Sequence, residues 1–310
     1  MQRTQLNGLT WAAMGLLALI WGGSFLSIHQ ALEGMGPLTV VAFRLTGAAL
    51  TLWIVAIIRG WRIPQAGTAW FAFAVMGLLN NALPFSLISW GQQEVATGLA
   101  AILNAATAIF GVLIAAIFLP DERLTPSRLI GVLIGFTGVA TAIGLSNLTD
   151  LDLKALSQLA ILGAALCYGL SGPWARTRLT GFSPKIAALG MVTTSTMMIW
   201  PVALWQEGAP SFDYSGVVWL SLLHLSVVAT ALAYLLLYWL IPRAGAGNTS
   251  LVTLLVAPVA IILGALVLGE ALPLRAFVGF GLLALGLFIL DGRVAARIGA
   301  RALPSRSRDI

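Results

Sequence analysis

Ten apolar stretches of about 20 residues, separated by short polar breaks, decide what this chain can fold into. They run roughly 9–28, 37–58, 69–90, 96–119, 127–145, 156–174, 184–205, 217–240, 247–268 and 274–291. A helix rises 1.5 Å per residue, so each stretch matches a hydrocarbon core about 30 Å thick. Only 9% of the residues are charged and 59% are hydrophobic, whereas a soluble domain carries roughly a quarter charged residues. The expectation is an all-α integral membrane protein of ten transmembrane helices, with no room for a separate soluble domain. The first stretch is too long for a secretory leader and continues into His29, Gln30 and Glu33 with no small-residue cleavage site, so it reads as the first span. The single cysteine, Cys167, excludes an internal disulfide and any cysteine metal cluster.

The net charge of +6 belongs to topology. With the N-terminus inside, the loops carrying Arg59 and Arg62, Arg123 and Arg128, Arg176 to Lys185, and Arg243 fall on the side of Arg3. The tail with Arg293, Arg297, Arg301, Arg306 and Arg308 falls there too, against Lys154 and Arg275 on the other face. Cytoplasmic loops carry such an excess, so both termini are expected in the cytoplasm. The basic residues form no stripe, which argues against nucleic acid, and the tail after 292 reads as a segment drawn to anionic lipid.

The chain also repeats itself. Leu19-Ile20-Trp21-Gly22-Gly23-Ser24 aligns with Leu166-Cys167-Tyr168-Gly169-Leu170-Ser171, an offset of 147. Glu122 aligns with Glu270, Gly131 with Gly279 and Gly138 with Gly286, an offset of 148. Each unit holds an odd number of spans, so the second enters the membrane from the opposite side. The expected organisation is a five-helix repeat over 1–146, an inverted second repeat over 147–292, and a basic tail over 293–310. Inverted repeats characterise secondary transporters, which alternate access around a midplane site.

With Ala18-Leu19-Ile20-Trp21-Gly22-Gly23-Ser24-Phe25, Phe43-Arg44, Asp121-Glu122-Arg123-Leu124 through Gly131, and Gly269-Glu270 through Gly279, nearly the whole chain resembles an EamA-type member of the drug/metabolite transporter superfamily. The resemblance implies a ten-helix carrier with a central cavity lined by the first, third, fourth, sixth, eighth and ninth spans. It further implies export of amino acids and related metabolites across a bacterial inner membrane.

Away from the span ends, within the hydrocarbon region, Arg44 is the one formally charged residue. Such a charge is costly unless paired or wetted, so it is either a functional group or a clamp on carbonyls at a helix end. Trp21 and Tyr168 stand at matching midplane positions beside glycines, as cavity walls or as ordinary packing. Asn80 and Asn81 fall mid-span one turn before Pro84, which frees a backbone carbonyl. Amide groups suit a zwitterion, offering both donors and acceptors. Asn104, Ser171, Thr230, Tyr234 and Asn248 are the other substrate-contact candidates, with Pro258 beside them. His224 either carries protons or bonds a neighbouring helix.

No Asp or Glu lies in the interior of a span; those present sit at ends or in loops. This removes the embedded glutamate of the small multidrug members and with it a dedicated organic-cation site. Glu122 and Glu270 read as structural carboxylates bonding the first turn of the helix that follows each. The leading expectation is an exporter of small neutral or zwitterionic metabolites, amino acids with hydrophobic or aromatic side chains among them. A carrier of organic anions or phosphorylated metabolites, with Arg44 as counter-charge, is the second reading. An intramembrane enzyme lacks an HExxH motif or a mid-span aspartate pair, and a scaffold leaves the repeat unexplained. No cofactor or metal is implied; lipid and a small-molecule substrate are the partners, and the short loops favour a monomer.

Overall fold

The computed structural model describes residues 8–122, 124–144, 153–244 and 251–290. Arg123, Asn248 and the basic tail lie outside the described residues. Within them the chain forms ten helices and no strand. These are α1 (Gly8–Leu32), α2 (Pro37–Ile58), α3 (Gly67–Gly91), α4 (Thr97–Phe118), α5 (Pro126–Ile143), α6 (Leu153–Arg178), α7 (Pro184–Glu207), α8 (Gly216–Ala244), α9 (Leu251–Leu268) and α10 (Leu274–Leu290). The first eight are each long and apolar enough to cross a bilayer by length and composition. The outer surface is apolar, with Leu266 78% and Ile58 75% exposed, and lipid is the solvent that suits such a surface. In lipid each backbone polar group needs an internal partner, which is why uncharged stretches of this length become helices.

Local signals set the ends. Proline occupies the first turn of α2, α5 and α7, where its missing N–H has no partner to lose. Thr125 and Ser215 cap α5 and α8 by accepting from Arg128 N and Val218 N. Gly208 and Gly269, which terminate α7 and α9, take positive φ of 79° and 67°, a region open to glycine at no steric cost.

Three spans are irregular in the middle. Residues Leu78–Ala82 of α3 and His224–Leu232 of α8 are π-helical, and α4 is interrupted after Asn104 by a turn at Ala105 and Ala106. These irregularities surround the cavity described below.

The main helix contacts recur when each helix is exchanged for the one five along. α5 packs on α10 and α2 on α7; α1 pairs with α9 as α6 does with α4, and α3 meets α7 as α8 meets α2. Glycines make these contacts close. A Cβ on Gly22 would stand 2.5 Å from Val259 of α9, and one on the equivalent Gly169 would stand 2.9 Å from Ile114 of α4. Gly131 faces the Gly286 carbonyl while Gly138 faces that of Gly279, reciprocal contacts between residues that already match in sequence.

One expectation is corrected here. Glu270 does not bond the helix that follows it: its carboxylate accepts from Thr97 N at 2.8 Å and Gly98 N at 3.3 Å, at the start of α4 in the other half. Gly269 turns the chain, and Glu270 N bonds back to Gly264 O, which aims the side chain across the bundle at the positive end of α4. Glu122 does reach the first turn of the next helix, pairing with Arg128 at 3.0 Å.

Candidate functional site

A cavity of about 290 Å³ lies between the halves, at the lower end of the range of roughly 300–1,000 Å³ typical of small-molecule sites. Helices α1, α3, α4, α6, α8 and α9 line it, and α2 joins them through Arg44. The symmetric partner of α2, α7, supplies no lining residue, so the site is less symmetric than the helix packing.

Trp21, Asn80, Asn104, Tyr168, Ser171, Tyr234 and Arg44 all line this space. Trp21 is held by its indole Nε1, which donates to Ala229 O in the π-helical part of α8 at 3.2 Å. Ser171 Oγ donates to the Tyr168 carbonyl at 2.7 Å and to Asn80 Oδ1 at 3.3 Å. Asn80 Nδ2 donates to the Tyr234 hydroxyl at 3.1 Å, and that hydroxyl donates to Asn81 Oδ1 at 2.5 Å. α3, α6 and α8 are thus tied into one polar wall.

Asn81 is fully buried behind that wall, where its Nδ2 donates to Ser195 Oγ at 3.3 Å. Pro84 and Thr230 are also set back from the lining. Thr230 still acts on the cavity: its hydroxyl donates to Leu225 O at 2.8 Å and accepts from Arg44 Nε at 3.0 Å. His224 stands outside the lining, its Nδ1 2.8 Å from Ser27 Oγ. Asn248 is outside the described residues.

Arg44 is 5% exposed, with its guanidinium carbon 3.6 Å from the centroid of the Phe85 ring. No ion pair to it occurs among the described residues. The Asn104 side chain sits where α4 breaks, and its Oδ1 is buried with no hydrogen-bond donor among the described residues. Sequence reasoning passed over Phe85, Phe25 and Thr107, which line the cavity as well. Thr107 carried a signal, since it lies three residues after Asn104 and its hydroxyl donates to the Asn104 carbonyl at 2.7 Å. Phe85 carried none: what places it is the contact with Arg44 from another helix.

The arrangement has aromatic walls, amides and hydroxyls that can donate or accept, and one cation. Nothing in the lining pairs a nucleophile with a base. Such a lining suits a small molecule, and the chain is similar to transporters. A probable terminal-alkyne amino-acid exporter of Streptantibioticus cattleyicolor is 27% identical over 305 residues, 97% of this chain and 99% of its own length. A probable amino-acid metabolite efflux pump of Escherichia coli is 25% identical over 298 residues, covering 92% and 97%. An uncharacterized transporter of Archaeoglobus fulgidus is 25% identical over 280 residues, covering 90% and 98%. A crystal structure superposes on 92% of this chain and 97% of its own with a TM-score of 0.66 at 18% identity, a likeness of fold. The EamA-like transporter family matches residues 8–144 and again 155–290, and the chain belongs to this family of multi-pass membrane transporters.

Proposed function

We propose that this transporter exports small neutral or zwitterionic metabolites, amino acids with hydrophobic or aromatic side chains among them, by alternating access. The observation that carries the reading is the cavity itself. It lies at the junction of the two family-matched segments, is walled by Trp21, Phe85 and Tyr168, and is lined on other sides by Asn80, Asn104 and Ser171. Aromatic walls favour an apolar or aromatic side chain, and amide and hydroxyl groups suit a zwitterion's two ends. The exporter names of two relatives favour the same class.

The repeats over 1–146 and 147–292 act as inverted halves that rock about the cavity; the main helix contacts that recur between the halves support this reading. The protein works as a monomer in a bacterial inner membrane with both termini cytoplasmic, as the distribution of basic residues favours. The test is uptake of labelled amino acids by proteoliposomes, with and without a pH gradient, against empty liposomes. Saturable flux of neutral amino acids, competed by aromatic analogues, is expected. Absence of flux for every amino acid, with flux of an organic anion instead, overturns the substrate assignment.

A further inference from the structure

The cavity contains a charge that the protein leaves half satisfied. Arg44 donates through Nε to Thr230 Oγ1 and lays one face on Phe85. Its terminal nitrogens, Nη1 and Nη2, have no acceptor among the described residues, though Arg44 is buried and lines the cavity. A structural clamp would spend those two donors on carbonyls or a carboxylate. Here the Nε edge and one ring face are used to fix the group, and the fork at its end is left over. Thr230 is itself anchored to Leu225 O across the π-helical turn, so the guanidinium is held in place before anything binds. A buried cation is costly until a counter-charge reaches it, and the free fork matches the two oxygens of a carboxylate.

We propose that Arg44 is the carboxylate anchor of the cavity, so that the transported class is small monocarboxylates. The α-amino acids of the reading above, on which this inference rests for the transport activity, are then the members with a second contact. Asn104 supplies it: its orphaned amide oxygen reaches the cavity by a half-turn of the amide group and accepts from an ammonium. The anchor also excludes a class. Among the described residues no other Lys, Arg or His lines the cavity, so one negative charge is balanced, while a phosphate monoester would bring a second that is not.

The experiment is competition against labelled L-phenylalanine in proteoliposomes, using L-phenylalaninamide, hydrocinnamate and phenyl phosphate as probes. Phenylalanine is expected to bind best and hydrocinnamate next, with the amide and the phosphate at least about tenfold weaker. Arg44→Gln is expected to weaken phenylalanine and hydrocinnamate by about 10- to 100-fold while leaving the amide unchanged, with Arg44→Lys in between. Thr230→Val, which keeps the charge and releases Nε, should also fall between. Equal competition by the amide, or best binding of phenyl phosphate, overturns the anchor while transport stands. Should phenylalanine fail and hydrocinnamate bind through Arg44, measured directly with labelled hydrocinnamate, the anchor holds and the amino-acid reading falls. Should neither bind the wild-type protein, both fall. If Arg44→Gln does not fold, the probe series on the wild type and Arg44→Lys decides.

Discussion

Glu270 and Glu122 occupy matching places in the two halves and do different work. At one end of the bundle Glu270 accepts from Thr97 N and Gly98 N of the opposite half, and Glu207 nearby accepts from Leu38 N, Thr39 N and Thr39 Oγ1 at 2.7–2.9 Å. At the other end Glu122 pairs with Arg128 and, at 3.6 Å, with Arg176, and its side chain is 35% exposed. The first end is drawn together by carboxylates seated on helix N-termini, which combine charge-assisted hydrogen bonds with the helix dipole. Among the described residues the second end carries ion pairs in contact with solvent, which are worth little. Buried polar atoms without partners among the described residues show the same bias. Gln92 Oε1, Thr97 Oγ1, Ser157 Oγ and both amide atoms of Gln158 all belong to the end where α3 finishes and α4 and α6 begin. At this end carboxylates of other helices cap the starts of α2 and α4, beside buried polar groups that would gain from hydration.

That contrast can be broken at the first end. Glu207→Ala strips three donors at the start of α2 of their acceptor and should destabilise the purified protein by about 2–4 kcal/mol, read as a fall in the thermal midpoint in detergent. A change below 1 kcal/mol would mean water replaces the carboxylate freely. Glu270→Gln, which keeps one acceptor oxygen and removes the charge, should cost about 1–2 kcal/mol. It should also raise labelling of a cysteine placed at Ala96, in a Cys167→Ser background, by a membrane-impermeant thiol reagent, and unchanged labelling would deny that Glu270 holds the start of α4.

Gln158→Met should move the other way. Replacing a buried amide that has no partner among the described residues by an apolar group of similar size is expected to stabilise by about 1 kcal/mol while slowing transport, since this end loses a group that hydration favours. Equal loss of stability and flux would mark Gln158 as ordinary packing. The smallest effect belongs to Glu122→Gln, within about 0.5 kcal/mol and smaller still at high salt. A large effect there would abolish the distinction between the ends.

Much of the architecture was legible because the bilayer imposes a length. The apolar stretches match the helices to within a few residues, from 37–58 for α2 to 184–205 against Pro184–Glu207 for α7. Trp21 and Tyr168 were legible as a pair because duplication placed them in register. The mid-span irregularities were not. Pro84 announces a disturbance in α3, but no proline stands in the π-helical stretch of α8, where the Ala229 carbonyl is bonded from another helix by Trp21. Glu270 was misassigned for the same reason: sequence proximity favoured α10, and the turn at Gly269 delivered the carboxylate to α4.

The sequence alone determined that this chain lives in a membrane, how many times it crosses, and that it is built twice. All three follow from hydropathy and periodicity, which act along the chain. Only the tertiary structure decided that Arg44 enters the cavity with no acceptor for its fork among the described residues, that Asn81 and Thr230 stand behind the wall, and that Glu270 caps α4 of the other half. Those outcomes depend on which donors and acceptors from distant helices meet where water is scarce, and no spacing within one span encodes that meeting.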